Sequence, residues 1–160
     1  MKVVESNPGV IDQFSIKTED GWFDTCLSNG YIEPDGTFVE REYQAAKANN
    51  PEDAAKIIAC KKPFGSGGAK QLGHKVELRP DWDEVKYQVM MRLVMKKFRD
   101  HPELAEKLLA TGDALLVEGN TWHDNIWGNC TCGKPECLNP GLNWLGHILM
   151  AVREALRQSK

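Results

Sequence analysis

The run DWDEVKYQVMMRLVMKKF, residues 81–98, constrains the fold more than any other part of the chain. Asp81 can cap a helix, Glu84 three residues on completes a capping box, and Val85, Val89 and Leu93 recur with Met90 and Val94 at helical spacing. The pattern predicts the longest helix of the chain, ending near Phe98. Other helices are expected around it. EREYQAAKAN holds good helix formers without Gly or Pro and predicts a helix from about Val39 to Asn49. Asn50-Pro51 reads as an N-cap and first-turn proline opening PEDAAKIIA, and Pro102 opens PELAEKLLA, which stops at Thr111-Gly112. From about Asn143 to Arg157, Leu145, Ile148, Leu149, Val152 and Leu156 share one face. ALLVEG reads as a buried strand. The first forty residues read as short strands and turns, with Phe14 and Ile16 alternating and Asp20-Gly21 and Asp35-Gly36 at turns. About five helices and a few short strands make a predominantly helical α+β fold, expected as a single domain over residues 1–160.

A chain of 160 residues with 41% hydrophobic and 27% charged residues can bury a core without staples. Its net charge of −3 argues against coating nucleic acid by bulk electrostatics, so no strong non-specific nucleic-acid binding is expected. A small nucleotide or one modified base needs only a local site. The opening MKVVESNPGVIDQF carries no apolar run of signal-peptide type and nothing approaches a membrane span, so a cytoplasmic protein without membrane attachment is expected. Five cysteines, an odd number, are then expected as reduced thiols.

Three features bear on chemistry. The glycine-rich PFGSGGAK lacks Walker spacing and a preceding strand, and reads as a loop. On the Val39–Asn49 helix, Glu40, Gln44 and Lys47 share one face, while Tyr43 and Ala46 beside them point to the core. Such a stripe is either a solvated face or an acid, an amide and an amine bordering buried structure that tunes them. The third feature is TWHDNIWGNCTCGKPEC, residues 121–137. Asp124 beside Trp127 suits a nucleotide or sugar site, the ring stacking on a base and the carboxylate acting on a sugar centre or water; a surface turn anchored by Trp122 and Trp127 is the plainer reading. Cys130, Cys132 and Cys137 form one C-x-C and one further cysteine, without the paired knuckles and fourth ligand of a structural zinc site. His123, Cys26, Cys60 or His147 would have to complete a set. The expectation is loop or buried thiols, with no metal and no cofactor. Met90, Met91, Met95 and Met150 read as core filling.

In order, CLSNGY, VEREYQAAKA, LRPDWDEVKYQVM, KF, LLATGDALLVEGNTWHDNIWG and NWLGHILMAVREAL resemble the motif series of the NADAR (NAD- and ADP-ribose-associated) family, which includes YbiA-like riboflavin-intermediate N-glycosidases. The resemblance runs from about Phe23 to Leu156. It implies hydrolysis of an N-glycosidic bond between a ribose C1′ and a base or exocyclic amine, in a phosphoribosylamino-pyrimidine or an ADP-ribosylated guanine. Asn29 falls in the family's LSNF motif, Glu40 in its VEH segment, Lys47 in YQAAK, Asp124 and Trp127 in WHDNFWG, and Asn143 and Gly146 in the closing motif. Cys26 and Gly30 stand where the family carries aromatic residues, and Arg41 where it carries histidine.

On this reading Lys47 is the nucleophile, forming a Schiff base with the ring-opened C1′, and Glu40 is the general acid/base. Asp124 orients a hydroxyl or water and Trp127 stacks on substrate, with Asn29, Gln44, Asn143 and Gly146 as further substrate contacts. Two alternatives remain: Glu40 and Asp124 acting as a carboxylate pair on water, and a non-catalytic ADP-ribose- or nucleotide-binding module.

Overall fold

The computed structural model describes residues 9–160; the expectation about an apolar leader falls partly on residues 1–8 and lies outside the described residues. The order is β1 (Val10–Ile11), β2 (Ser15–Thr18), β3 (Gly21–Asp24), α1 (Val39–Ala46), α2 (Pro51–Ile58), α3 (Ala69–Gly73), α4 (Trp82–Asp100), α5 (Pro102–Leu109), β4 (Leu115–Leu116), β5 (Gly119–Asn120), β6 (Asn129–Cys130), a 3₁₀ turn at Pro135–Cys137, and α6 (Trp144–Gln158). The fold is mostly helical with a few short strands, as the sequence implies. Among the described residues no helix is long and apolar enough to cross a membrane.

The chain divides into two units, Ser28–Leu104 on one side and residues 9–27 with Ala105–Lys160 on the other. In the Ser28–Leu104 unit, α1 packs on α2, α3 and α4. Phe38, Ala45, Ile57, Cys60 and Ala69 form one buried cluster there. The Asn50 side chain accepts the Asp53 N–H at 2.9 Å, so the expected cap and the proline after it open α2 together. α4 departs from expectation at its start. Arg79 binds both Asp81 carboxylate oxygens, at 2.6 and 2.9 Å, and the Asp81 side chain makes no cap bond. Sequence spacing also misses α3, a short helix directly after the glycine-rich loop. Met90 fills the core as expected, at 1% exposure, whereas Met91 and Met95 are half-buried.

In the other unit, β2 and β3 form a hairpin pairing Ile16 with Phe23, and β1 runs parallel to β4, Val10 opposite Leu115. Thus ALLVEG contributes only two short strand pieces, of which Leu116 is fully buried. α6 packs against β4, and Leu145, Ile148, Leu149 and Val152 of its apolar face are all buried.

Candidate active site

Glu40, Gln44 and Lys47 lie on one face of α1 and its C-cap, and all three are buried, at 7%, 3% and 8% exposure. The stripe is therefore not a solvated face. Packing of α2, α3 and α4 around α1 encloses it. Gln44 Nε2 donates to Glu40 Oε1 at 2.8 Å. The other end of that amide, Oε1, is buried without a hydrogen-bond partner among the described residues and lies against Gly73, where a Cβ would stand 1.9 Å from it. An unsatisfied acceptor of this kind is costly in a folded interior.

Lys47 ends this face, at the C-cap of α1. Burial holds its amine below the usual lysine range, the charge of Glu40 opposes that effect, and the charge of Lys70 adds to it. His74 is lowered in turn by burial, Lys47 and Lys70. Lys70 and His74, on α3 and its C-cap, therefore belong to the electrostatic surroundings of Lys47. Sequence reading passed over both: Lys70 closes the glycine-rich stretch read as a loop, and His74 follows it without a motif. At the other end of α1, the Asn29 carbonyl accepts the Glu40 N–H at 2.9 Å, and the Asn29 side chain donates to Met90 Sδ at 3.6 Å. The asparagine thus fixes the start of the helix that carries the acid. Arg41, where the family has histidine, stacks its guanidinium 5.0 Å from the Phe38 ring centre.

The same unit holds a second buried polar group that the sequence analysis did not assign. His101 Nε2 lies 3.5 Å from Glu33 Oε1 and 3.9 Å from Asp35 Oδ2. Buried Lys97 donates to the Ser28 carbonyl at 3.0 Å and lies 5.3 Å from the Tyr31 ring centre. Burial raises the Glu33 carboxyl and the charge of Lys97 opposes it. The KF motif was the available signal, since it contains Lys97.

The remaining sequence-derived residues belong to the other unit. Asp124 Oδ1 accepts the backbone N–H groups of Ile126 and Trp127, at 3.1 and 2.9 Å, and Asn120 holds the Asp124 backbone by both its N–H and its carbonyl. The Trp127 ring meets Trp144 edge-on, 5.4 Å between centres. Asn143 and Gly146, assigned above to substrate, also have structural work. Asn143, at φ 52, accepts the Glu118 N–H and donates to the Leu116 carbonyl, both at 2.9 Å. A Cβ on Gly146 would stand 2.0 Å from that same carbonyl, so α6 reaches β4 only because this position is glycine.

In that unit Nδ1 of His123 faces three sulfurs. His123 Nδ1 lies 3.4 Å from Cys137 Sγ, 3.5 Å from Cys132 Sγ and 3.9 Å from Cys130 Sγ. Burial pushes the Cys130 thiol up, but hydrogen bonds from Cys132 and the His123 backbone outweigh it and bring it down to about 7. Burial pushes Cys137 up, to about 11. His123, Cys130, Cys132 and Cys137 are the four residues here that could hold a soft metal ion.

Comparison with known proteins supports the resemblance. The NADAR domain model matches residues 28–157. An N-glycosidase of Nostoc punctiforme is 45% identical over 121 residues, covering 74% of this chain and 73% of its own. The N-glycosidase YbiA of Escherichia coli is 45% identical over 83 residues, 52% of this chain and 48% of its own. The maize chloroplastic riboflavin biosynthesis protein PYRR is 32% identical across 91% of this chain, which spans only 20% of that longer protein. The solution structure of Escherichia coli YbiA superimposes with a TM-score of 0.72 at 32% identity, covering 95% of this chain and 87% of that one. The chain belongs to the NADAR family and is homologous to the YbiA-like N-glycosidases, hydrolases of N-glycosyl bonds.

Proposed function

We propose that this protein hydrolyses a ribosyl C1′–N bond, with an ADP-ribosylated guanine or a phosphoribosylamino-pyrimidine as its substrate class. The observation that carries this reading is the buried amine of Lys47, held below the usual lysine range, on the same helical face as Glu40 and Gln44. A neutral amine is a nucleophile and an ammonium is not, so the environment suits covalent catalysis. In the proposed reaction Glu40 gives a proton to the leaving nitrogen as the C1′–N bond breaks and the Lys47 amine bonds to C1′. The proton that Nζ sheds on bonding returns to Glu40, which delivers it to the ring oxygen O4′, and ring opening gives an iminium between C1′ and Nζ. Water then adds to C1′, the C1′–Nζ bond breaks, and the free ribose and the amine are restored. Gln44 holds Glu40 in place, while Asp124 and Trp127 are proposed to orient a hydroxyl or water and to stack on the base.

The test follows directly. Lys47→Ala should abolish release of free base while circular dichroism stays that of the wild type. Glu40→Gln should slow turnover about a hundred- to ten-thousand-fold, the usual cost of a positioned acid/base. Borohydride during turnover should trap a ribosyl adduct on Lys47, located by peptide mass. Near-normal rates in Lys47→Ala without an adduct would transfer the chemistry to Glu40 and Asp124. Tight ADP-ribose binding without any turnover in the wild type would instead make the chain a binding module.

A further inference from the structure

We propose that His123, Cys130, Cys132 and Cys137 bind one structural zinc ion. Three sulfurs converge on a single ring nitrogen, at 3.4, 3.5 and 3.9 Å. Nδ1 carries one proton or one lone pair and can satisfy one thiol by hydrogen bonding, not three. A shared centre accounts for all three. With Zn–N of about 2.0–2.1 Å and Zn–S of about 2.3 Å in a tetrahedron, the N···S edge is about 3.6 Å, in the middle of the observed distances. All four ligand atoms lie within 4.8 Å of one another.

The surrounding chain is shaped for thiolates. Asn125 Nδ2 donates to Cys137 Sγ at 3.3 Å, and the Lys134 N–H points at Cys132 Sγ from 3.5 Å. Asn125 Oδ1 also accepts the Cys130 N–H at 2.9 Å, so one amide ties two ligand-bearing segments together. Donors of this kind orient metal-bound sulfur and stabilise its charge. Gly133, at φ +82, turns the chain directly after Cys132, and His123 itself takes a left-handed φ of 70. Three thiolates and an imidazole form a soft, closed set of four, which selects zinc over magnesium or calcium and leaves no position for a reacting water. The ion is therefore structural. It would pin the segment in which Asp124 directly follows a ligand.

The proposal departs from the expectation of no metal, which rested on a missing fourth ligand; the fold places His123, seven residues before the C-x-C pair, beside all three sulfurs.

The test is metal content of the full chain, purified without a histidine tag or chelator. About one zinc per chain is expected from a single four-ligand site. Cys132→Ser should lower the content severalfold, whereas Cys60→Ser, in the hydrophobic cluster of the other unit, should leave it unchanged. Cobalt exchanged into the wild type should give the visible bands of a tetrahedral thiolate site. Should Cys132→Ser not fold, stripping the wild type with a strong zinc chelator should lower its melting temperature and expose three additional thiols to a thiol reagent, both reversed by zinc. Zinc far below one per chain, with no cobalt spectrum and no effect of the chelator, overturns the proposal. Because no readout is catalytic, that result would leave the Lys47 reading intact.

Discussion

At Lys47 the proposed function and stability oppose each other. Its amine is lowered in the folded chain, so between the folded value and the ordinary 10.5 the unfolded chain binds more protons, and folding stability rises with pH through that window. Near neutral pH the buried amine therefore works against the fold. Lys47→Met is expected to raise the melting temperature at pH 7 while ending turnover; a lower melting temperature would show that the amine makes compensating bonds. The same shift predicts a pH–rate profile that rises as the amine loses its proton, with a midpoint below 10.5. Lys70 adds to the lowering, so Lys70→Gln should move that midpoint upward, and Lys56→Gln, on an exposed side chain, should not. The spacing of Glu40, Gln44 and Lys47 was legible in the sequence because helical periodicity is local. Their burial was not, because it depends on α2, α3 and α4 closing over that face, and pairwise spacing says nothing about what covers it.

At the scale of elements, caps and close approaches decide what the chain tolerates. Asn50 caps α2 as its sequence context implied, and Asn50→Ala should cost about 1 kcal/mol in urea unfolding. Asp81 had an equally good context, yet Arg79 two residues away takes its carboxylate as a bidentate partner. A charged neighbour can outbid a backbone amide, and a capping-box pattern does not record who stands beside it. At the Asn143–Gly146 pair, where motif resemblance pointed to substrate, geometry adds a structural part: an asparagine stitching β4 to the start of α6 and a glycine letting that helix approach. Gly146→Ala is expected to destabilise by about 1–3 kcal/mol, measured by chemical denaturation, because the added methyl meets the Leu116 carbonyl, backbone that cannot swing away, and the Asn143 amide held to it. A neutral effect would require α6 to shift at no cost.

At the scale of the whole molecule, charge sets the approach of partners. With a net charge of −3, binding to unmodified duplex DNA should be weak at physiological salt, and a steep salt dependence in a filter-binding titration would reveal a basic surface that the composition hides. The division of the chain has a further consequence, for the order in which native structure forms. The Ser28–Leu104 unit is continuous, so its helices can find one another as soon as that stretch exists. The other unit draws on both sides of it, and β1 finds its parallel partner only when Val10 meets Leu115. Closing so long a loop before any contact rewards it makes the β1–β4 ladder a late event. Pulse-labelled hydrogen exchange during refolding should protect α1 and α4 amides before the Leu115 and Val117 amides, whose acceptors are the carbonyls of Gly9 and Ile11. On a ribosome the same topology leaves the Lys47 face assembled while the zinc-ligand segment is still being made.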